Sequence, residues 1–369
     1  MARNPFTPTF GVIPPFMAGR ESLVEELKAA FDNGLGDPNL CTIVSGARGS
    51  GKTAFISLIS QEAESQGWIS AKTTAAEGML EDLLQQAVRN AREFVEEDGG
   101  RRLRGLSLGQ FLSLEWENVQ PEEGNWRTRM STLLDQIASY RVGLLITVDE
   151  VNVTIDEMKQ LARVYQHFVT EGRQVALLMA GLPHNISQLL RDDGISFLRR
   201  ARKHTLGRIP DREISDALTA TIEDAGKRIS PAALAAAVEA TDGFPYMMQL
   251  VGFHTWAQAV AEEIDVENAA TGVELARNEM ADGVLAYTYL DLSAGDKRFL
   301  AAMLNEPRDV PLARVAEKMG VGSNYASQYR KRLLEQGIIS EPAKGYVRFE
   351  MPVFPEYFAE RYEEDESLS

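Results

Sequence analysis

The feature that most constrains the fold of this chain is a glycine-rich turn, SGARGSGKT at residues 45–53, between an apolar run and a helix-like run. It fits the pattern G-x-x-x-x-G-K-[ST] with Gly46, Gly51, Lys52 and Thr53. In such a loop the backbone N–H groups face phosphates, the lysine reaches the β- and γ-phosphates, and the hydroxyl binds Mg²⁺. We therefore expect a nucleotide cradle formed by Gly46, Ala47, Arg48, Gly49, Ser50, Gly51, Lys52, Thr53 and Ala54.

A pair of acidic residues supplies the second element that such a site needs. The run VGLLITV at residues 142–148 has the continuous apolar character of a buried parallel strand, and Asp149 and Glu150 follow it directly. On its own, an acidic pair after a strand is more often a helix cap or a solvated turn. Together with the upstream loop it indicates that Asp149 holds the Mg²⁺ shell and that Glu150 activates a water for hydrolysis, with Lys52 on the phosphates.

Strand-like and helix-like patterns alternate along the first half of the chain. This alternation predicts an α/β fold, a P-loop NTPase core of three layers with a mostly parallel sheet. The segments 97–102 and 121–124 interrupt the pattern and are interpreted as loops that bound an insertion. The expected strands are 41–45, 69–74, 142–148 and 175–180, and the expected helices are 20–33, 52–65, 77–97, 127–139 and 155–170.

The tip of the strand at 175–180 is a place where related sites carry a polar sensor of the γ-phosphate. His184 and Asn185 are the nearest candidates, and a simple turn is the alternative.

Composition limits the classes of function. A length of 369 residues favours two or three domains. The net charge of −16 argues against a surface that coats nucleic acid, although residues 293–350 hold ten Lys and Arg against seven Asp and Glu. No apolar run approaches a membrane span and the start lacks a leader pattern, so we expect a cytoplasmic protein without membrane contact. Cys41, the single cysteine, forms no internal disulfide, and the four scattered histidines favour no zinc site.

These motifs together resemble an AAA+ ATPase of the origin-recognition-like branch, close to archaeal-type ATPases and to the signal-transducing STAND NTPases, over residues 12–358. The resemblance implies that Pro15 and Phe16, within PPFMAGRE at 14–21, wrap the adenine. It also implies that Pro245, within TDGFPY at 241–246, packs near the nucleotide in a helical lid. Tyr246 stands where many related lids carry an arginine sensor, so an arginine-based lid sensor is not expected here.

The basic segment FLRRARK at residues 197–203 resembles the arginine region of that family. We expect Arg200, ahead of Arg199, to contact the γ-phosphate of its own or of a neighbouring subunit. The alternative is a basic helix end that interacts with the helix dipole.

Helical patterns from residue 292, at 310–320 and at 322–336, followed by a hairpin pattern at 338–349, predict a winged helix. Its third helix would approach duplex DNA, and the wing would contact the DNA backbone through Lys344 and Arg348. Winged helices also dock proteins, so a STAND-like signalling or defence ATPase with a protein effector is the alternative function, and a nucleotide-binding scaffold without turnover is a third. The expected DNA-contacting residues of the helix are Ser323, Asn324, Tyr325, Gln328, Tyr329, Arg330 and Arg332.

The sequence thus predicts a slow ATPase that uses ATP and Mg²⁺ and that acts as a switch for a DNA-binding domain, with duplex DNA, a homo-oligomer or a protein effector as partner. The expected domains are the core at 1–206, the lid at 207–290, the winged helix at 291–358 and an acidic tail at 359–369.

Overall fold

The structure is a computed structural model that describes residues 3–9, 11–102, 125–152 and 154–367, with the backbone alone for 95–102. Its centre is a five-stranded sheet in the order β2-β3-β4-β1-β5, in which all neighbouring strands are parallel. The predicted α/β class is therefore confirmed. The strands are β1 (Cys41–Ser45), β2 (Ile69–Thr74), β3 (Leu144–Asp149), β4 (Val175–Gly181) and β5 (Arg202–Thr205).

Helices cover both faces of this sheet, because its central strands are mostly apolar and must be buried on both sides. One face packs against α1 and α2, and the other against α3 to α6. Within the described residues no helix is both long and apolar enough to cross a bilayer. The helices of the core are α1 (Glu21–Asn33), α2 (Lys52–Ser65), α3 (Met79–Arg102), α4 (Trp126–Ala138), α5 (Asp156–Thr170) and α6 (Pro183–Arg191).

The register of the sheet brings the ends of β1 and β3 to the same edge. β4 lies between these two strands, with Ser45 opposite Gly181 and Val148 opposite Met179. Because all the strands are parallel, the loop after β1 and the acidic pair after β3 leave the sheet at its carboxyl edge, the place where ligands bind in folds of this kind.

The second unit of the chain is mainly helical and begins at α7. The lid at 207–290 was expected to be helical, but it also holds a short parallel pair, β6 with β7, which ties the α7–α8 connection to the segment after α9. This pairing satisfies backbone groups that would otherwise lie unpaired in two loops. The elements are α7 (Asp211–Asp224), β6 (Arg228–Ile229), α8 (Pro231–Thr241), α9 (Pro245–Gln258), β7 (Glu263–Ile264), α10 (Val266–Met280), a π-helical turn (Ala281–Leu285) and α11 (Ala286–Leu290).

The last unit contains three helices, three short strands and a terminal helix. The strands form an antiparallel sheet in the order β8-β10-β9, and β8 was not anticipated from the sequence. Val315, Ala326 and Leu333 are buried on the inner face of this unit, and Met319 and Leu334 are half-buried. The elements are α12 (Ala294–Met303), β8 (Val310–Pro311), α13 (Leu312–Met319), α14 (Ser323–Glu335), β9 (Ile339–Ser340), β10 (Tyr346–Phe349) and α15 (Phe354–Ser367).

Two expectations differ from the structure at element boundaries. The segment 97–102 continues α3 rather than forming a loop, since each added residue gains a backbone hydrogen bond that offsets a glycine cost of about 1 kcal/mol. The turn expected after β4 is the helix α6, which begins at Pro183 because proline suits the first turn of a helix. Helix α15 continues past residue 358 and packs back through Phe354 and Phe358, and the domain boundary expected at that residue stays a prediction. The second expected loop, at 121–124, lies outside the described residues.

Candidate functional site

The loop between β1 and α2 has the shape of a phosphate cradle. Gly49 and Gly51 adopt left-handed backbone angles, with φ of 78° and 85°, which glycine reaches without steric cost. Ser50 is buried, and its Oγ has no hydrogen-bond partner within the described residues. The first turn of α2 starts at Lys52, so its free backbone N–H groups face the concave side of the loop.

Lys52 folds over this cradle. Its Nζ donates hydrogen bonds to the carbonyl oxygens of Gly46, at 3.0 Å, and Ala47, at 2.7 Å. Burial lowers the pKa of the Lys52 ammonium to about 8, and Arg48 acts in the same direction, whereas Asp149 and Glu150 oppose the shift. The site thus desolvates a cation that a phosphate group would stabilise.

The acidic pair after β3 meets the start of α2. The hydroxyl of Thr53 donates a hydrogen bond of 2.6 Å to Oδ2 of Asp149, whose Oδ1 accepts the backbone N–H of Glu150 at 2.8 Å. Glu150 has a φ of 50°, and its side chain is exposed. A hydroxyl and a carboxylate in contact are hard oxygen donors of the kind that Mg²⁺ prefers, so these residues fit the expected metal. The expected grouping of Lys52, Thr53 and Asp149 is present in the structure.

The lid lies directly on the phosphate loop. A Cβ built at Gly49 would lie 2.7 Å from Cε1 of Phe244, and the backbone N–H of Tyr246 donates to the carbonyl of Gly49 at 3.3 Å. A Cβ built at Gly51 would lie 3.8 Å from Cβ of Pro245. Pro245 is therefore beside the loop, as the sequence led us to expect, but the residue that presses on it is Phe244.

The C-terminal unit also contacts the cradle. A Cβ built at Gly337, just after α14, would lie 3.1 Å from Cα of Ala47. The next residue, Arg48, lies 3.5 Å from the carboxylate of Asp291, and His184 on α6 lies 3.3 Å from Glu335 on α14. Sequence reasoning missed these contacts, since each joins segments far apart in the chain and leaves no local pattern.

Comparisons with known proteins agree with this geometry. Residues 17–179 match the family model described as the AAA ATPase domain. The matched residues include the phosphate loop and the acidic pair after β3. A second family model, described as a domain of unknown function (DUF8462), matches residues 282–358. No curated protein matches the sequence at a significant level.

Solved structures that match are similar in fold over nearly the whole chain. A Walker-type ATPase of Pyrococcus abyssi has a TM-score of 0.67 at 13% identity, with 93% of this chain and 96% of that chain covered. The ORC2 protein of Aeropyrum pernix, in its ADPNP-ADP complexes, has a TM-score of 0.61 at 15% identity, with 98% of each chain covered. Cdc6p from Pyrobaculum aerophilum has a TM-score of 0.50 at 13% identity, with 97% of each covered. The resemblance inferred from the sequence is confirmed at the level of the AAA ATPase domain and of the fold.

The segment before the AAA ATPase core runs between the lid and the phosphate loop. Phe16 packs against the apolar cluster of the lid, whereas Pro15 is exposed. A Cβ built at Gly11 would lie 3.5 Å from Cγ2 of Thr53, so it is Gly11 that the structure places beside the cradle. The assignment of Pro15 and Phe16 to the adenine stays a prediction.

The two candidate arginines before β5 differ in their surroundings. Arg199 donates to the carbonyl of Leu190 and to the carboxylate of Asp193, both at 2.9 Å. Arg200 is exposed, and among the described residues its side chain has no hydrogen-bond or ion-pair partner. Of the two, Arg200 has the free guanidinium, and its contact with a γ-phosphate of its own or of a neighbouring subunit stays a prediction.

The expected DNA-contacting residues fall into two groups. Arg330 pairs with Glu341 at 3.1 Å, and Arg332 pairs with the fully buried Asp296, so both guanidinium groups are already engaged. Tyr329 is half-buried and donates its hydroxyl to that of Tyr325 at 2.9 Å. The remaining residues are exposed on one side of the unit: Ser323, Asn324, Tyr325, Gln328 and Lys344. On β10, Arg348 forms two hydrogen bonds with Asp309.

Proposed function

We propose that this protein is an ATP-binding and ATP-hydrolysing AAA+ switch whose nucleotide state controls a C-terminal winged helix that binds duplex DNA. The observation that carries the nucleotide half of the proposal is the 2.6 Å contact between Thr53 of the phosphate loop and Asp149 of β3, with Lys52 folded into the same cradle. This arrangement joins a phosphate-binding cation and a metal-binding oxygen pair in one place.

The residues give a simple account of hydrolysis. Mg²⁺, held by Thr53 and the shell of Asp149, would neutralise charge on the phosphates when bound. Glu150 takes a proton from a water as its oxygen attacks the γ-phosphorus, and the bond from that phosphorus to the bridging oxygen of ADP breaks. Lys52 stabilises the charge that collects on the phosphate oxygens. The exposed position of Glu150 leaves room for the water, and Arg200, from the same chain or from a neighbouring subunit, would complete the site.

The test of this half combines binding with turnover. Purified protein should bind a fluorescent ADP analogue, and release of phosphate from ATP should require both Mg²⁺ and Glu150. If the parent protein does not bind nucleotide, the proposal is overturned. If the parent binds nucleotide but releases no phosphate, and Glu150→Gln behaves in the same way, the protein is better described as a nucleotide-binding scaffold without turnover.

The DNA half rests on the order of elements in the C-terminal unit. Helix α12, strand β8, helices α13 and α14, and the hairpin of β9 and β10 follow one another as in a winged helix. The start of α14 is exposed, with Ser323, Asn324 and Gln328 on its surface, and Lys344 lies exposed in the turn of the hairpin. Because Arg330 and Arg332 are engaged elsewhere, we assign DNA contacts to these exposed residues first.

The test of the DNA half is binding to mixed-sequence duplex, measured by fluorescence anisotropy with ATP and with ADP across a salt series. Lys344→Ala should weaken binding and reduce the salt slope by about 1. Arg212→Ala is the matched control, since that arginine is exposed in the lid and lies outside the C-terminal unit. Absence of DNA binding in both nucleotide states would overturn this half in favour of a winged helix that docks a protein effector.

A further inference from the structure

The segment 241–246, TDGFPY, contacts two parts of the molecule that are expected to move relative to each other. On one side Phe244 and Tyr246 contact Gly49 of the phosphate loop. On the other side Asp242 faces the C-terminal unit across a cavity that Arg308 and Arg348 help to line. Only one residue, Gly243, separates the two contacts along the chain.

Asp242 holds two arginines from different units of the protein. Arg208, in the connection from the core to the lid, donates to the backbone carbonyl of Asp242 and forms an ion pair with its carboxylate. Arg308, in the loop between α12 and β8, donates to the other carboxylate oxygen. One carboxylate thus neutralises two cations, and loss of its charge would weaken the ion pair with Arg208 and the hydrogen bond from Arg308 at once.

Arg208 extends the same connection. Its second nitrogen donates to the carbonyl oxygens of Phe349, at 3.1 Å, and Glu350, at 2.8 Å, which follow directly on the wing. The side chain of Arg208 is 18% exposed, so these bonds lie in a region largely shielded from water. The core, the lid and the C-terminal unit therefore meet at this single guanidinium.

Backbone geometry links the contacts of Asp242 with Arg208 and Arg308 to the position of Phe244. Asp242 has a φ of 46°, and Gly243 has a φ of 74°. A Cβ built at Gly243 would lie 2.8 Å from Cβ of Arg208, and the carbonyl of Gly243 accepts the backbone N–H of Ile209 at 2.8 Å. Since Phe244 is almost fully buried, a shift of its ring on Gly49 has to move the adjoining backbone at Asp242.

We propose that Asp242 is a positioning residue that couples the nucleotide state of the phosphate loop to the placement of the C-terminal unit. A bound nucleotide displaces Phe244 where it presses on Gly49, the backbone at 242–243 follows, and the hydrogen bonds from Arg208 and Arg308 to Asp242 rearrange. The proposal rests on the proposed function in requiring that nucleotide binds. It adds the route by which binding reaches the C-terminal unit.

The variant Asp242→Asn separates this role from a structural one. Asparagine keeps the size of the side chain and tolerates the left-handed backbone, whereas it removes the charge that the two arginines share. Arg308→Ala is a second variant that leaves the bond from Arg208 in place. Asp309→Asn is the matched control, because Asp309 forms an ion pair of similar geometry with Arg348 that lies wholly within the C-terminal unit.

The experiment measures the distance between the core and the C-terminal unit in the full chain. Spin labels are attached at Gln160→Cys on α5 and Ala343→Cys in the hairpin turn, both exposed. Burial raises the pKa of the native Cys41 thiol to about 12, so labelling at pH 7 favours the introduced cysteines. Distances are recorded with ADP and with a non-hydrolysable ATP analogue, and the affinity for each nucleotide is measured on the same samples.

The expected result is that the parent and Asp309→Asn show a distance that differs between the two nucleotides, whereas Asp242→Asn and Arg308→Ala lose the difference. Nucleotide affinity should stay within about twofold of the parent in all variants. The proposal is overturned if Asp242→Asn keeps the difference, or if the parent binds both nucleotides at one unchanged distance. Failure of nucleotide binding in the parent shows that the proposed function itself is wrong, and the affinity measurement identifies that case.

Discussion

Thr53 and Asp149 are joined by a hydrogen bond of 2.6 Å between a hydroxyl and a carboxylate that come from opposite sides of β4. If both oxygens serve the same cation, Asp149→Asn should reduce the gain in ATP affinity that Mg²⁺ gives, by about tenfold, since an amide is a weaker ligand for a hard cation. Titration of ATP with and without Mg²⁺ by calorimetry checks this. Asp156→Asn, an exposed acid at the start of α5, is the control. An unchanged effect of Mg²⁺ in Asp149→Asn would remove Asp149 from the metal site.

Glu150 should matter for turnover and not for binding. Its side chain is exposed beside the cradle, and glutamine keeps its shape without the ability to accept the proton of the attacking water. We expect Glu150→Gln to lower the rate of phosphate release by about 100-fold or more while the affinity for ATP stays within about threefold. Single-turnover phosphate release and equilibrium binding on one preparation measure both. A rate near that of the parent would assign the base to another residue.

Nucleotide affinity should depend on pH through Lys52. Burial lowers the pKa of its ammonium to about 8, so the free protein carries the charge below pH 8 and loses it as the pH rises through that value. A bound phosphate favours the charged form, hence ADP affinity should be constant up to about pH 7.5 and then fall, approaching tenfold per pH unit. Binding of ADP between pH 6.5 and 9.5 tests this, with Lys52→Arg as the variant whose charge does not titrate. If the ADP affinity of the parent does not change with pH, the assignment of Lys52 to the phosphates is contradicted.

The features that sequence could predict are those encoded by neighbours in the chain. The cradle at 45–53 is one continuous motif, and Asp149 was found because a buried parallel strand must deliver the residue after it to the same sheet edge. The contact of Gly337 with Ala47 and the clamp of Arg308 on Asp242 depend on how three units pack, and no periodicity marks them. Arg332 shows the same limit, since its place on a basic helix suggested DNA, whereas the partner that engages it, Asp296, lies 36 positions away.

Because Phe244 packs against the phosphate loop, Gly49→Ala should lower the free energy of unfolding. The new methyl group would lie 2.7 Å from the ring of Phe244, and alanine would also be strained at a φ of 78°. Gly36→Ala is the matched control, because its φ is 101° and a Cβ there meets nothing within 4 Å. We expect strain alone to cost about 1–2 kcal/mol at Gly36 and the clash to add about 1–3 kcal/mol at Gly49. Urea unfolding of both variants measures the difference. Equal losses of unfolding free energy would mean that the Phe244 ring moves away from the new methyl group without cost.

Arg332 should prove to be a stabilising residue of the C-terminal unit. Its guanidinium donates to both carboxylate oxygens of Asp296, which is fully buried and also forms a capping box with Ser293 at the start of α12. Arg332→Ala would leave that buried charge without its cation, a change that costs about 3 kcal/mol. Arg330→Ala removes a partly exposed pair with Glu341 and should cost under about 1 kcal/mol. Thermal unfolding compares the two. If Arg332→Ala unfolds at the temperature of the parent while DNA affinity falls, the arginine serves DNA, and its bond to Asp296 adds little to the fold.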